Sequence, residues 1–174
     1  MVETMVHHAS AASLTLPPLP MQGPHARLSL APGMARYSLR ARSADRLADA
    51  IGRPVPGRIG EAIDGIACLG PDEYYALLPE ATALPMGEGQ PASLVDISAR
   101  AVGLRLEGPG AVEVLSAGCP LDLARMAPGA VTRTVFETVE IILWRESPSC
   151  FHIDVWRSFA PWLWHALAAA MDPS

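Results

Sequence analysis

Few residues in this sequence could do chemistry, and they are thinly spread. His152 and Asp154 share one face of a strand-like run reading FHIDVW, ordered as a general base and the carboxylate that would orient it. Same-face neighbours on a strand stand about 7 Å apart, and this pair is expected to look outward from the sheet. Asp72 and Glu73 follow Pro71 in a turn-forming run, where two adjacent carboxylates are expected to be solvated turn residues. Asp96 and Ser98, in LVDIS, are expected to bond the local backbone rather than serve as base and nucleophile. His7 and His8 adjoin each other without a third ligand to complete a metal site.

The familiar motifs fail on inspection. LEGPGAVEVL has the strand, glycine turn and helix order of a dinucleotide fingerprint, but Glu113 stands where the third glycine belongs and would repel a pyrophosphate. We therefore read it as a strand-to-helix turn. There is no G-x-S-x-G, no H-E-x-x-H and no Walker lysine, and all 13 basic residues are arginine. Without lysine, the chain offers no Schiff-base lysine.

What remains is a surface theme. All four tryptophans fall between Trp144 and Trp164, and Arg105, Arg133, Arg145 and Arg157 lie in or at the ends of expected strands. The arginines need solvent or a carboxylate such as Glu107, Glu137 or Glu140, or a partner across an interface, where arginine and tryptophan are the usual anchors. We take Trp156, Arg157, Trp162, Trp164 and Arg145 as the candidate subunit-interface residues. No catalytic, cofactor-binding or metal-binding residue is assigned to the chain.

Composition agrees with an interface protein. The 174 residues are 50% hydrophobic and 18% charged, with mean hydropathy +0.23, against about 25% charged for a typical soluble domain. No apolar run reaches the roughly 20 residues a bilayer requires. A net charge of −5 without a basic cluster argues against nucleic acid. Cys68, Cys119 and Cys150 are odd in number and lack CxxC spacing, as expected of reduced thiols in a cytoplasmic protein, and no secretory leader opens the sequence.

The elements that must position these residues can be read in order. A Pro-rich arm is expected over 1–24, a first α+β half over 25–79, a connector over 80–92 and a second half over 93–174. The first half predicts strands through Leu28, over 35–41, 63–69 and 74–78, with a helix capped by Ser43 and stopped by Gly52. The second predicts strands over 94–97, 102–107, 131–137, 139–145 and 150–157, and a helix burying Ala111, Val114 and Leu115. A closing helix is expected after Ser158 as N-cap, with Phe159, Trp162, Leu163, Ala166, Leu167 and Ala170 inward, and Trp164 and Met171 on an outer edge. The fold class is α+β, with antiparallel sheets carrying helices on one face.

Four stretches of this chain resemble the gamma subunit of heterotetrameric sarcosine oxidase: SLVDIS (93–98), GLRLEGPGAVEVLSAGCPLDL (103–123), TRTVFETVEIILWR (132–145) and VWRSFAPWLWHAL (155–167). ARYSLRA (35–41) and GPDEYYALLP (70–79) match more loosely. The resemblance covers about residues 25–170, and GCPLDL with WRSFAPWLW is its most specific part.

The resemblance implies two α+β halves similar to the tetrahydrofolate-binding domain of glycine-cleavage aminomethyltransferase. It also implies a non-catalytic structural subunit of a complex that oxidatively demethylates sarcosine to glycine. That complex transfers the one-carbon unit to tetrahydrofolate and produces hydrogen peroxide. FAD, FMN, NAD, tetrahydrofolate and zinc would belong to the alpha, beta and delta subunits, with alpha in direct contact. The family assigns this subunit no catalytic residue, and Ala99 stands where relatives often carry His in a D-[VI]-S-H stretch. Two other readings stay open. One is a free-standing folate-dependent one-carbon protein, against which the lack of room for a further barrel domain counts. The other is the equivalent subunit of a demethylase acting on dimethylglycine or N-methylglutamate.

Overall fold

The computed structural model describes residues 16–17, 19–85 and 92–172. His7 and His8 lie outside the described residues, as does most of the expected arm. Within that arm's span, Met21–Gln22 form a short strand, β1, instead of an irregular tail. The elements that follow are β2 (Arg27–Leu30), β3 (Met34–Ala41), α1 (Ala44–Ile51), β4 (Ala62–Ile63), β5 (Ile66–Cys68), β6 (Glu73–Pro79) and β7 (Ala92–Asp96). Then come β8 (Ala101–Glu107), α2 (Ala111–Ser116), β9 (Val131–Phe136), β10 (Val139–Ser147), β11 (Cys150–Trp156) and α3 (Ala160–Met171).

Local chemistry explains most boundaries. The Ser43 hydroxyl accepts from the Arg46 amide at 3.4 Å, and Gly52, with φ of 66°, closes α1 by donating to the Ala48 carbonyl at 2.8 Å. The single strand expected over 63–69 is instead a tight hairpin. Asp64 and Gly65 adopt φ of 47° and 80°, the two left-handed residues of a type I′ turn, and split β4 from β5. A Cβ at Gly65 would collide with the Leu77 carbonyl oxygen, so no other residue fits that corner.

The strands form two antiparallel sheets in the orders β1-β2-β8-β11-β10-β9 and β4-β5-β6-β3-β7. Each sheet borrows from the other half of the chain. β2, from the expected first half, pairs with β8, whereas β7, from the expected second half, pairs with β3. The 80–92 connector therefore does not separate two sheets, and its last residue, Ala92, already belongs to β7.

Alternation along the strands sets up the layers. Phe151, Ile153 and Val155 of β11 join Leu115 of α2 and Leu163 and Leu167 of α3 in one apolar core. Leu39 and Ala41 of β3 join Leu47 and Ile51 of α1 in another. Each sheet thus carries its helices on one face, as expected. The opposite faces, bearing Arg36, Ser38 and Tyr75 on one sheet and Gly103, His152 and Asp154 on the other, turn toward each other. The result is an α-β-β-α sandwich with two greasy outer cores and a polar seam between the sheets.

Candidate functional site

The seam gathers residues that lie far apart in sequence. The Arg36 Nε donates to Asp154 Oδ1 at 2.8 Å, its second nitrogen lies 2.8 Å from the same oxygen, and both side chains are buried. The Tyr75 hydroxyl donates to Asp154 Oδ2 at 3.2 Å, and Arg36 also donates to the Met34 carbonyl at 2.9 Å. His152 Nε2 stands 3.1 Å from Asp154 Oδ1 but off the line of a hydrogen bond, which makes it an electrostatic neighbour and not a bonded partner. His152 and Asp154 are accordingly much closer than strand spacing predicts, and they face inward, because the second sheet covers the face that was expected to meet solvent.

Gly103 makes that crowding possible. A Cβ there would sit 2.7 Å from His152 Cε1, 2.8 Å from an Arg36 guanidinium nitrogen and 2.9 Å from the Ala31 Cβ. Burial pushes the Asp154 carboxyl up, but the adjoining His152 and the Arg36 guanidinium outweigh it and hold the group below the usual carboxylate range. Burial first, and the Asp154 charge second, raise the Tyr75 phenol. Arg36, Asp154 and Tyr75 satisfy one another and tie the two sheets together, whereas the buried His152 Nε2 is left without a hydrogen-bond partner.

A second ionic tie runs beside it. Arg133 of β9 donates to Glu73 through both terminal nitrogens, at 2.9 and 2.5 Å, and Glu73 also lies 3.2 Å from Arg40. Glu73 is thus a strand residue cross-linking the sheets, not the solvated turn former expected; Asp72 alone keeps that description, exposed and paired with Arg40 at 3.2 Å. Asp96 behaves as expected, accepting from the Ser98 amide at 2.8 Å. Ser98 in turn accepts from the Arg36 amide at 2.8 Å, which clips β7 to the seam.

Two openings flank the cluster. One is a pocket of about 70 Å³ between the sheets, whose lining includes Tyr75, Glu140, Ile142, Asp154 and Trp156. The other is a wider cleft of about 590 Å³ bordered by Leu30, Met34, Arg36, Ser98 and Arg157. Asp154 touches the first and Arg36 the second, but each directs its charge at the other.

The expected interface residues divide. Trp156 and Trp162 are each 40% exposed, and Phe159 between them is 48% exposed. Trp156 ends β11, and Phe159 and Trp162 follow it through a 3₁₀ turn over Arg157–Phe159 that leads into α3. Arg157 is exposed and donates through Nε to the Ala99 carbonyl at 2.8 Å. Trp164 and Arg145 do not belong with them. Trp164 is 1% exposed, packed in the core beneath α3 with Met171 also buried. Arg145 is buried, donating to the carbonyls of Leu123, Met126 and Pro148, with its guanidinium 5.3 Å from the Phe151 ring centre.

The physical reason for the first error is phase. α3 is apolar nearly all round, so spacing alone does not say which stripe faces in. The 3₁₀ turn rotates the helix so that Ala160, Leu163, Leu167 and Met171 are buried and Phe159 and Trp162 are not. Ser158 lies within that turn and Phe159 occupies the cap position. The second error is one of partner type. A guanidinium carries five donors that backbone carbonyls can satisfy, so Arg145 needs neither a carboxylate nor a neighbouring subunit. Arg36 and Tyr75, the cross-sheet partners of Asp154, carried no sequence signal, since 118 and 79 residues separate them from it.

No family model matches the sequence. Among proteins of known name, the chain is 36% identical over 120 residues to the sarcosine oxidase subunit gamma of Arthrobacter sp. That match spans 62% of this chain and 59% of the Arthrobacter protein. The chain is 34% identical over 140 residues to the subunit gamma of Corynebacterium sp. strain P-1, covering 72% of this chain and 68% of that protein. Among solved structures it superposes on a chain of the heterotetrameric sarcosine oxidase from Corynebacterium sp. U-96, in complex with pyrrole 2-carboxylate. The TM-score is 0.75 and the identity 29%, over 84% of this chain and 83% of that one. The glycine cleavage system aminomethyltransferase T from Bartonella henselae shares the fold alone, with a TM-score of 0.64 and 15% identity over 82% of this chain and 45% of that one. On the strength of the Corynebacterium relative, matched over more than two thirds of its length, this chain belongs to the sarcosine oxidase subunit gamma family.

Proposed function

We propose that this chain is a non-catalytic structural subunit of a cytoplasmic, heterotetrameric sarcosine oxidase. The complex demethylates sarcosine to glycine, hands the one-carbon unit to tetrahydrofolate and passes the electrons to oxygen, giving hydrogen peroxide. FAD, FMN, NAD, tetrahydrofolate and zinc are carried by the alpha, beta and delta subunits in this reading, and alpha is the direct neighbour. The observation that carries it is the exposure of Trp156, Phe159 and Trp162, three large aromatic side chains within seven residues left substantially open to solvent. The buried Arg36–Asp154–Tyr75 network supports the same reading, since those three groups are spent on joining the sheets. Among the described residues no helix is long and apolar enough to cross a membrane, and the three cysteines are free thiols.

Co-expression of the tagged chain with the alpha, beta and delta subunits tests the proposal. The expected result is one species containing all four chains, with sarcosine-dependent oxygen uptake that falls when this chain is omitted. Micromolar binding of tetrahydrofolate to the isolated chain, by calorimetric titration, would overturn the structural assignment.

A further inference from the structure

Every exposed aromatic side chain among the described residues, Trp156, Phe159 and Trp162, falls in the one stretch where β11 gives way to α3. Two exposed arginines stand beside Trp156. Arg157 follows it, and Arg100 precedes Ala101, the residue that Trp156 faces across the β8–β11 ladder, so both arginines leave that ladder at the same end. The Arg157 Nε donates to the Ala99 carbonyl at 2.8 Å, which holds its guanidinium against the 3₁₀ turn Ser98–Arg100.

Neither arginine has an acid partner among the described residues, whereas Arg27, Arg36, Arg40, Arg58, Arg105 and Arg133 are each ion-paired within the chain. The acids of the neighbouring segments are spent elsewhere. Asp96 accepts from the Ser98 amide, Asp154 is held by Arg36 and Tyr75, and Glu140 lies 3.7 Å from Arg133. Glu80, the acidic residue lining the wide cleft that Arg157 also borders, lies over Gly33 and forms no ion pair with Arg157. The terminal nitrogens of Arg157 and the head group of Arg100 are therefore open to an anion from outside.

Exposed guanidinium groups beside indoles are the residue types that most often carry binding energy at a protein interface. The chain as a whole has a net charge of −5 and repels an acidic surface, so a local pair of unmatched cations gives such a surface one place to land and fixes its orientation. A second copy of the chain fits less well, because a two-fold contact through this patch would set each arginine pair against its own copy. A lipid surface also fits less well, since segments that seek anionic lipid carry clusters of about four to eight cations.

We infer that the partner covering Trp156, Phe159 and Trp162 is a protein surface whose aspartate or glutamate side chains pair with Arg157 and Arg100 at the rim, while its apolar centre takes the aromatic side chains. The inference rests on the proposed assembly role and adds to it the charge of the partner's face. It makes entry into the complex salt-sensitive although the exposed side chains at its centre are aromatic.

The test uses the full chain and its three partner subunits, with the dissociation constant for incorporation measured between about 50 and 500 mM NaCl. Wild-type affinity should fall across that range. Arg100→Gln combined with Arg157→Gln is expected to weaken incorporation about tenfold at the lowest salt and to flatten the salt dependence. Arg100→Glu combined with Arg157→Glu should reverse the slope, binding better as salt rises. Arg157→Lys, which keeps the charge on a different head group, should retain the wild-type slope. Unfolding midpoints should match wild type, because both side chains are exposed. Arg46→Gln, exposed on α1 in the other layer, removes the same charge and should change neither affinity nor slope. A double glutamine variant within twofold of wild type at every salt concentration would overturn the acidic partner while leaving the assembly role standing. So would a dimer of the full chain alone that this variant dissolves, or cosedimentation of the full chain with vesicles of equal parts phosphatidylserine and phosphatidylcholine that this variant abolishes. A wild-type chain that joins no complex would overturn both.

Discussion

Replacing Asp154 with asparagine keeps the shape of the side chain and removes only its charge. Arg36 would stay buried between the sheets, still donating to the Met34 carbonyl but facing no anion. Breaking a buried ion pair from one side costs about 3–5 kcal/mol, against about 5–15 kcal/mol for the whole stability of an ordinary domain. With a urea dependence of about 2 kcal/mol per molar, the unfolding midpoint of Asp154→Asn should fall by about 1.5–2.5 M, followed by circular dichroism. The paired replacement Arg36→Met with Asp154→Leu removes both charges together and should recover most of that loss. A single substitution costing less than about 1 kcal/mol would refute the claim that this pair is desolvated and mutually dependent. So would a double variant no more stable than the single.

The remaining expectations concern other parts of the structure. Asp154 has a lowered folded pKa, so its contribution is complete above about pH 4 and disappears as pH falls below that toward the folded value. Wild type should therefore lose stability below about pH 4 more steeply than Asp154→Asn in acid titrations of the unfolding midpoint. Trp164→Ala should cost about 3–5 kcal/mol as a core truncation, and Leu163→Ala about 2–5 kcal/mol, whereas Trp162→Ala should leave the midpoint unchanged and weaken incorporation into the complex. Gly103→Ala should destabilise by about 1–3 kcal/mol through overpacking against His152 and Arg36, read by the same urea curves. Burial and the nearby Glu146 carboxylate push the Cys150 thiol up to about 11, so it should resist a thiol reagent at pH 8 until denaturant is added.

Elements with a strong period or a strong terminator were legible in the sequence. β3, β6 and β8 show strand alternation, and α1 carries a serine cap and a glycine stop. The apolar content of 63–69 masks the Asp64-Gly65 signal, although that dipeptide is the one that makes a two-residue hairpin. The phase of α3 was not legible at all, since a helix apolar on every side offers no moment to orient it. The seam escaped for a different reason. Arg36 lies on a polar strand face with Ser38 and Arg40, and only the approach of the second sheet turns that face into an interior. Trp156, Arg157 and Trp162 do lie at the surface, whereas Trp164, two positions further along the helix, is buried in the core.

The exchange of β2 and β7 between the sheets bears on how the polypeptide can be cut. If the backbone were severed between Pro85 and Ala92, each fragment would leave behind a strand that completes the other. Neither piece should fold in isolation, yet mixing the two should regenerate the native molecule without a peptide bond between them. Such complementation would make this subunit a natural split reporter, with reassembly of the fragments itself the signal.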